Sequence, residues 1–329
     1  MHNSKLYSAL TYFNKYEQNR LRKYLKSPYF NKNESILDLF EFLINYINKY
    51  NSATSQKEIP KELIWDKIFT KKKYDDTRFR KLNSDLLKLI EGFLAQQVFE
   101  ENPLHQAAYL IEAVGNKRMT KLYSTAEKTA VRLSKQQKLK PSNYYYYQYA
   151  IEKNIYKINE YKFKRLERKN VEEIANNLDA FYLAEKLRYY TTILSYQSVI
   201  SHEYTYLFID EIIDHIKKYK YENIPPISIY YQSYLTLTQP ENVEHFLKLK
   251  QLLQNHSDIF PIEEAQNLYE VALNYCIRKT NKGDSSYYSE FFDIYVDILN
   301  KRLIFDNAGE LKPIHFKNIV VAATRIEKY

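Results

Sequence analysis

Glycine is almost absent from this chain, and its scarcity limits the folds that the sequence can form. Only four glycines occur in 329 residues, and the nine prolines lie mostly at the borders of apolar segments. All-β folds and dinucleotide-binding folds need many tight turns, for which glycine is the usual residue. The sequence therefore predicts an all-α protein.

Apolar residues recur at helical spacing in the first hundred residues. Two segments, NESILDLFEFLINYINKY and TRFRKLNSDLLKLIEGFLAQQVFE, place an apolar side chain every three or four positions. This period gives a helix one apolar stripe that packs on a core. The stripes contain Ile36, Phe40, Leu43, Ile47 and Tyr50 in the first segment, and Leu82, Leu86, Ile90 and Phe93 in the second. We expect a helical N-terminal domain over residues 1–100.

Beyond residue 100, a proline repeatedly precedes a helical pattern. Pro141, Pro226, Pro261 and Pro313 stand at such starts, where proline costs no intrahelical hydrogen bond. The segment LYEVALNYCIRKTNKGDSSYYSEFFDIYVDIL joins two such patterns through a short GD turn. It resembles one repeat of the tetratricopeptide superfamily, and the resemblance extends over residues 103–329. It implies an irregular tetratricopeptide-like α-solenoid of stacked hairpins over residues 101–329.

The last segment, LKPIHFKNIVVAATRIEKY, carries the same proline signal and predicts the first helix of another hairpin. No second helix follows it in the sequence. We therefore expect either that the array is incomplete at the C-terminus, as part of a longer solenoid, or that the free side of this helix docks on another subunit. Both alternatives predict an exposed apolar patch between residues 314 and 326.

A run of tyrosines, SNYYYYQYAIEKNIYKI, lies near the middle of the chain. A helical projection at about 100° per residue separates its large side chains into two stripes. One contains Tyr144, Tyr147, Ile151, Ile155 and Ile158, and the other contains Tyr145, Tyr149 and Tyr156. A helix between two neighbours needs two stripes, so we expect packing rather than a dedicated binding surface.

The charge is unevenly distributed along the chain. The net charge of +9 combines +13 in residues 1–200, −7 in residues 201–300 and +3 in the last 29. Two basic runs, FTKKKYDDTRFRK and YKFKRLERKN, are candidate contacts for nucleic acid or an acidic partner, because clustered cations neutralise phosphates. A solvated surface is the alternative interpretation. The candidate residues are Lys71, Lys72, Lys73, Arg78, Arg80, Lys81, Lys164, Arg165, Arg168 and Lys169.

Motifs for catalysis or cofactor binding are not found. The four glycines stand alone, so no phosphate-binding or dinucleotide-binding loop is present, and we expect no cofactor. The single cysteine, Cys276, has no neighbouring histidine and is expected to be a buried structural thiol. Two segments, EIIDH and ENVEH, place two acids before a histidine, as metal-binding helices do. Acids in a first helical turn or on a solvated face explain both segments without a metal.

The first residues lack the pattern of a signal peptide, and no window is long and apolar enough to span a membrane. Together with the single cysteine, this predicts a cytoplasmic protein without a disulfide framework. We expect a non-enzymatic protein-protein interaction or scaffold protein whose partner is a protein or peptide, acidic if it meets the basic runs.

Two other functions stay open at this point. The first is a DNA-binding regulator with a helix-turn-helix-like segment at residues 61–88, similar to bacterial transcriptional activators that join a winged helix to a helical array. The winged helix would require strands near residues 60–100. The second is an enzyme whose carboxylates and histidines meet from distant helices in a deep cleft.

Overall fold

A computed structural model describes residues 4–50, 60–70, 72–162, 170–197, 202, 204–305 and 309–327, apart from the side chains of residues 159–162. These residues form an all-α fold, as predicted. Their α-helices are α1 (Lys5–Thr11), α2 (Lys15–Lys26), α3 (Glu34–Tyr50), α4 (Lys61–Ile68), α5 (Asp76–Glu100), α6 (Pro103–Asn116), α7 (Thr120–Gln136), α8 (Ser142–Lys162), α9 (Val171–Gln197), α10 (Ile209–Tyr219), α11 (Pro225–Thr238), α12 (Val243–His256), α13 (Ile262–Asn281), α14 (Tyr287–Asn300) and α15 (Pro313–Arg325).

Packing divides the chain into two compact units. The first comprises Met1–Gln106 and the second Ala107–Tyr329. The division falls within α6, a few residues after the boundary that the sequence analysis placed at residue 100. Each unit has its own hydrophobic core.

The first unit packs α1 to α5 around the two predicted apolar stripes. Ile36, Phe40, Leu43 and Ile47 of α3 are buried, and so are all four predicted stripe residues of α5. Hydrogen bonds then fix the helix ends. The side chain of Asn14 accepts from the backbone N–H of Glu17 and the carboxylate of Glu17 accepts from that of Asn14, which is a reciprocal cap at the start of α2.

The turn between α4 and α5 is anchored by Trp65. Its indole ring is almost completely buried, and the Nε1–H donates a hydrogen bond of 2.8 Å to the carbonyl of Lys72. At the start of α5, the side chain of Asp75 accepts from the backbone N–H of Arg78 at 3.0 Å. The break between these helices is therefore a fixed turn with a capped helix after it.

In the second unit, α11 is the central helix. Ten of its fourteen residues are buried, because it packs against α9, α12 and α13 at once. Neighbouring pairs extend this core on both sides, with α8 on α9, α13 on α14, and α14 on α15. Two consecutive prolines, Pro225 and Pro226, begin α11 in the position that the sequence pattern predicted for them.

The tyrosine run lies in α8, where it packs mainly against α9. Ile151, Ile155 and Ile158 are buried, as predicted for one stripe. Tyr145 is half-buried, and burial raises the pKa of its hydroxyl to about 12. Tyr146 is exposed and its ring centroid lies 5.3 Å from that of Phe181 in α9. Packing therefore explains most of this run.

Two close contacts hold other helices of the second unit together. Gly115 of α6 approaches Ile158 of α8 so closely that a Cβ on the glycine would lie 2.8 Å from Cγ1 of the isoleucine. The ammonium of Lys301 donates to the carbonyls of Leu253 and Gln254 at the end of α12, at 3.0 and 2.7 Å, and pairs with Asp297 at 3.2 Å. This lysine caps the end of α12, where the carbonyl of Leu253 also accepts from the backbone N–H of Ser257 and the hydroxyl of Tyr269.

The last helix, α15, packs against α14 through one side only. Ala322 is buried there, whereas Ile314, Phe316, Val320 and Val321 are exposed. An exposed apolar patch between residues 314 and 326 was predicted from the sequence, and the structure has one.

Candidate functional site

A groove in the second unit combines a large volume with many polar side chains. Its volume is about 520 Å³, within the range of sites that take ligands or peptide segments. One wall is formed by α9 and the other by α13, and Tyr230 of α11 reaches it from the central helix. We call this feature the α9–α13 groove.

The wall from α9 follows from the amphipathic pattern of that helix. Leu183, Leu187 and Tyr190 recur at helical spacing and are buried in the core. Thr192 and Tyr196, which follow Tyr190 in the last turns of α9, are exposed and line the groove. Tyr189 and Tyr196 are each 54% exposed, although tyrosine in this protein is more often packed.

The wall from α13 is built in the same way. Pro261 precedes the helix, and Ala265, Leu268 and Ala272 form its buried stripe. On the other side, polar residues recur every three or four positions along the groove and are exposed to solvent. They are Glu263, Asn267, Glu270 and Asn274.

A polar network connects four helices at the base of the groove. The hydroxyl of Tyr230 donates to Oε1 of Glu264 at 2.6 Å. The guanidinium of Arg188 lies 3.3 Å from Glu185 and 4.0 Å from Glu264. The hydroxyl of Ser142, the first residue of α8, donates to Glu185. Because α8, α9, α11 and α13 each contribute one or more of these groups, the network fixes the helices that form the groove.

Burial changes the protonation equilibria of this network. The pKa of Glu264 is raised because burial disfavours its charged form, although the hydrogen bond from Tyr230 and the charge of Arg188 oppose the shift. Burial also raises the pKa of Tyr230, and the carboxylate of Glu264 adds to that shift. Burial alone would lower the pKa of Arg188, but its bond to Tyr189 and the nearby carboxylates of Glu185 and Glu264 together raise it. Arg188 therefore stays charged between two acids.

Both walls of the groove carry groups that form hydrogen bonds. Its walls offer carboxylates, side-chain amides, hydroxyls and two tyrosine rings, which together accept and donate hydrogen bonds along an extended surface. The groove gathers three glutamates, but its lining includes no histidine or cysteine among the described residues.

The sequence analysis did not identify this groove, although its residues carry a readable signal. Tyr189 and Tyr196 are seven residues apart, as are Glu263 and Glu270, and this distance is close to two helical turns. Polar or aromatic residues repeated at that interval on long helices indicate a continuous exposed stripe.

The first basic run lies on the surface of the first unit. Lys72, Lys73, Arg78, Arg80 and Lys81 are all exposed. Lys72 and Arg78 come together on the ring of Phe69, with the nitrogen of Lys72 5.7 Å and the central guanidinium carbon of Arg78 4.5 Å from its centroid.

A carboxylate neutralises part of this run. Asp76 pairs with Arg80 at 2.7 Å and with Lys61 at 3.3 Å, and it accepts a hydrogen bond from Tyr74. The bond from Tyr74, aided by Lys61 and Arg80, lowers the pKa of Asp76. A negative charge thus stands at the helix start where a phosphate would bind.

The other basic candidates lie outside the described residues. These are Lys71, Lys164, Arg165, Arg168 and Lys169. The described residues between 60 and 100 contain the helices α4 and α5 and no strand, so they do not supply the strands of a winged helix.

The two acid-histidine segments have other partners. Glu241 pairs with Lys279 and Lys282 at 3.6 and 3.2 Å, and His245 lies 3.1 Å from the side chain of Gln239. The ring of His215 stacks on that of Tyr221, with centroids 5.4 Å apart. Within the described parts of the chain, no three histidine, cysteine or acidic side chains are grouped so that they could hold a metal ion.

Cys276 is fully buried in α13, and burial raises the pKa of its thiol to about 12. The thiol is therefore neutral and packed, as expected for a structural cysteine. None of the helices in the described segments is long and apolar enough to cross a membrane.

Comparison with known proteins does not assign the chain to a family. No protein-family model matches the sequence, and no curated protein or solved structure matches it significantly. Function must therefore be argued from the groove and its residues.

Proposed function

We propose that residues 107–329 form an irregular tetratricopeptide-like interaction module and that the protein binds a partner protein or peptide in the α9–α13 groove. One observation carries the proposal. Exposed polar and aromatic side chains line both walls of a groove whose helices are fixed by a buried network. A rigid, hydrogen-bonding groove on stacked helices is the usual binding surface of helical arrays.

The proposed activity is binding and scaffolding, without a catalytic step. The packing of α8 on α9, α11 on α12 and α13 on α14 is compatible with stacked hairpins, which supports the repeat interpretation. We also propose that the protein acts in the cytoplasm. Its single cysteine is buried and cannot form an intramolecular disulfide, so the fold does not depend on an oxidising compartment.

A bulky residue in the groove tests this proposal. Thr192 is exposed in the middle of the α9 wall, so we expect Thr192→Trp to fill the groove without disturbing the core. Asn176 is exposed on the same helix outside the groove, and Asn176→Trp is the matched control.

Affinity purification from cells that express each tagged version, followed by mass spectrometry, compares their partners. We expect at least one protein that is recovered with the unchanged chain and with Asn176→Trp but lost with Thr192→Trp. Identical recovery with all three would contradict the proposal, provided that circular dichroism shows equal melting temperatures.

A further inference from the structure

The α9–α13 groove has an unbalanced charge. Its lining contains Glu263, Glu264 and Glu270, and Arg188 is the only lysine or arginine among the residues that the structure describes there. Arg188 is already held by Glu185 and Glu264. Glu263 and Glu270 form no ion pair within the described parts of the chain, so the groove presents two solvated carboxylates without a counter-charge.

These carboxylates have a fixed spacing. They are seven residues apart on α13, which corresponds to about 10.5 Å along the helix axis and to nearly the same side of it. Asn267 and Asn274 are also seven residues apart; the first lies between the two glutamates and the second follows Glu270. The α13 wall therefore alternates carboxylate and amide with a period of about two turns.

The opposite wall has the same period. Tyr189 and Tyr196 are also seven residues apart, and both rings are exposed. The central guanidinium carbon of Arg188 lies 5.0 Å from the centroid of the Tyr189 ring, so this wall already holds one cation against an aromatic face. The ring of Tyr196 offers the same chemistry to an incoming cation.

Two backbone conformations come close to this spacing. In an α-helix, side chains seven positions apart lie about 10.5 Å apart, but the backbone amides of a helix are already hydrogen-bonded within it. A polyproline II segment has three residues per turn and rises about 3.1 Å per residue, so side chains three positions apart point the same way about 9 Å apart. In a β-strand, side chains three positions apart point to opposite faces. A polyproline II backbone also makes no internal hydrogen bonds, which leaves its amides free for Asn267 and Asn274.

We infer that the groove binds an extended, basic peptide segment in which two lysines or arginines stand three residues apart in polyproline II conformation. The cations pair with Glu263 and Glu270, and the tyrosine wall packs on their side chains. The net charge of −7 in residues 201–300 favours the approach of such a segment. This inference rests on the proposed function and gives that partner a chemical class opposite to the acidic one expected from the basic runs.

Synthetic peptides test the charge and the spacing. The probe is a fluorescein-labelled, proline-rich peptide with two arginines three residues apart, and its binding is measured by fluorescence anisotropy at low and physiological salt. Three comparison peptides place the arginines two residues apart, replace both with neutral citrulline, or replace both with glutamate. Each exposed ion pair is worth about threefold in affinity, so we expect the probe to bind about tenfold more tightly than the citrulline peptide.

Charge variants of the protein locate the site. We expect the double variant Glu263→Gln, Glu270→Gln to weaken probe binding about tenfold and to remove most of the difference between the probe and the citrulline peptide. The control is Glu211→Gln with Asp214→Asn on α10, which changes the net charge equally at two exposed positions outside the groove. It should weaken binding by less than about twofold, since only the long-range field changes.

Four results would overturn the inference: no binding of the probe, equal binding of the peptide whose arginines are two residues apart, equal binding of the citrulline or glutamate peptide, or an equal loss in both double variants. Sedimentation velocity tests whether a second copy of the chain occupies the groove instead. Self-association that is abolished by Glu263→Gln with Glu270→Gln would show this and would also refute the inference. The proposed function is judged separately by Thr192→Trp. A partner that this variant loses but that contains no basic segment would leave the proposed function standing and the inference wrong.

Discussion

Replacing Arg188 with methionine should weaken the second unit in a way that depends on Glu264. The guanidinium lies 3.3 Å from Glu185 and 4.0 Å from Glu264, whose side chain is only 15% exposed. Methionine keeps the apolar stem of the arginine but removes its charge. The variant would leave a largely buried carboxylate with only the hydroxyl of Tyr230 as its hydrogen-bond partner.

The size of the effect follows from distance and exposure. Two unit charges 4 Å apart attract by about 1 kcal/mol in water and about 4 kcal/mol at an effective dielectric constant of 20. The side chain of Arg188 is 30% exposed, so solvent screens part of this attraction. We expect a coupling of about 1–2 kcal/mol between Arg188 and Glu264. With a similar contribution from Glu185, the total loss for Arg188→Met is about 2–4 kcal/mol.

A double-mutant cycle with Glu264→Gln measures this coupling. Glutamine can still accept the hydrogen bond from Tyr230, so the cycle isolates the charge. Free energies of unfolding come from urea titrations followed by circular dichroism. Arg132→Met, at an exposed arginine of α7 that forms no ion pair within the described residues, should cost less than about 0.5 kcal/mol. A coupling below about 0.5 kcal/mol would refute the electrostatic account.

The contact between Arg188 and Glu264 also predicts that the effect of Arg188→Met on stability depends on pH. The folded-state pKa of Glu264 is raised above its ordinary value of 4.5 by burial. A carboxyl group whose pKa is higher in the folded state stabilises the fold at pH values below its pKa in the unfolded chain. This contribution to the free energy of unfolding is lost as the pH rises through the pKa in the folded state. Removing Arg188 should raise the folded pKa further. The loss in free energy of unfolding caused by Arg188→Met should therefore grow as the pH rises above 4.5. In the Glu264→Gln background this loss should no longer depend on pH.

Three further predictions concern stability and nucleic acid. Lys301→Met should lower the free energy of unfolding by about 2 kcal/mol in urea titrations, because it uncaps α12. Lys248→Met, at a largely exposed ion pair, should lower it by less than about 0.5 kcal/mol, and equal losses would contradict the capping role. Gly115→Ala should lower the melting temperature, because its Cβ would lie 2.8 Å from Cγ1 of packed Ile158; an unchanged melting temperature would contradict this. Asp76→Asn should strengthen weak, salt-dependent binding to DNA of any sequence several-fold, because it frees Lys61 and Arg80. Sequence-selective, nanomolar binding by the unchanged protein would instead favour a DNA-binding regulator.

The helices could be predicted from the sequence because their signal is local. The stripes predicted for α3 and α5 bury all their members except Tyr50, which is half-buried at the end of α3, since a period near 3.6 leaves a helix only one way to cover its apolar side. Prolines predicted helix starts for the same reason, as at Pro226 and Pro313. These patterns do not depend on which helices become neighbours.

The exposed stripe on each wall carries a sequence signal, but the meeting of the two walls could not be predicted because it depends on neighbours that are distant in the chain. Arg188 and Glu264 are 76 positions apart, and Tyr230 lies between them on a third helix. A charged residue looks the same in sequence whether its partner is water or a carboxylate. The first basic run shows the opposite error, since Asp76 pairs with Arg80 of the run and with Lys61 outside it, although the run stands out in the sequence.

Exposure separates the two kinds of tyrosine in this chain, and it bears on function more than their number does. Tyr230 is buried and gives its hydroxyl to Glu264, so it helps to fix the position of α13 relative to α9. Tyr196 is exposed on the wall that this bond holds in place. A polar bond in the core can therefore set the width of the groove, since any shift of α13 must break it or carry α11 along.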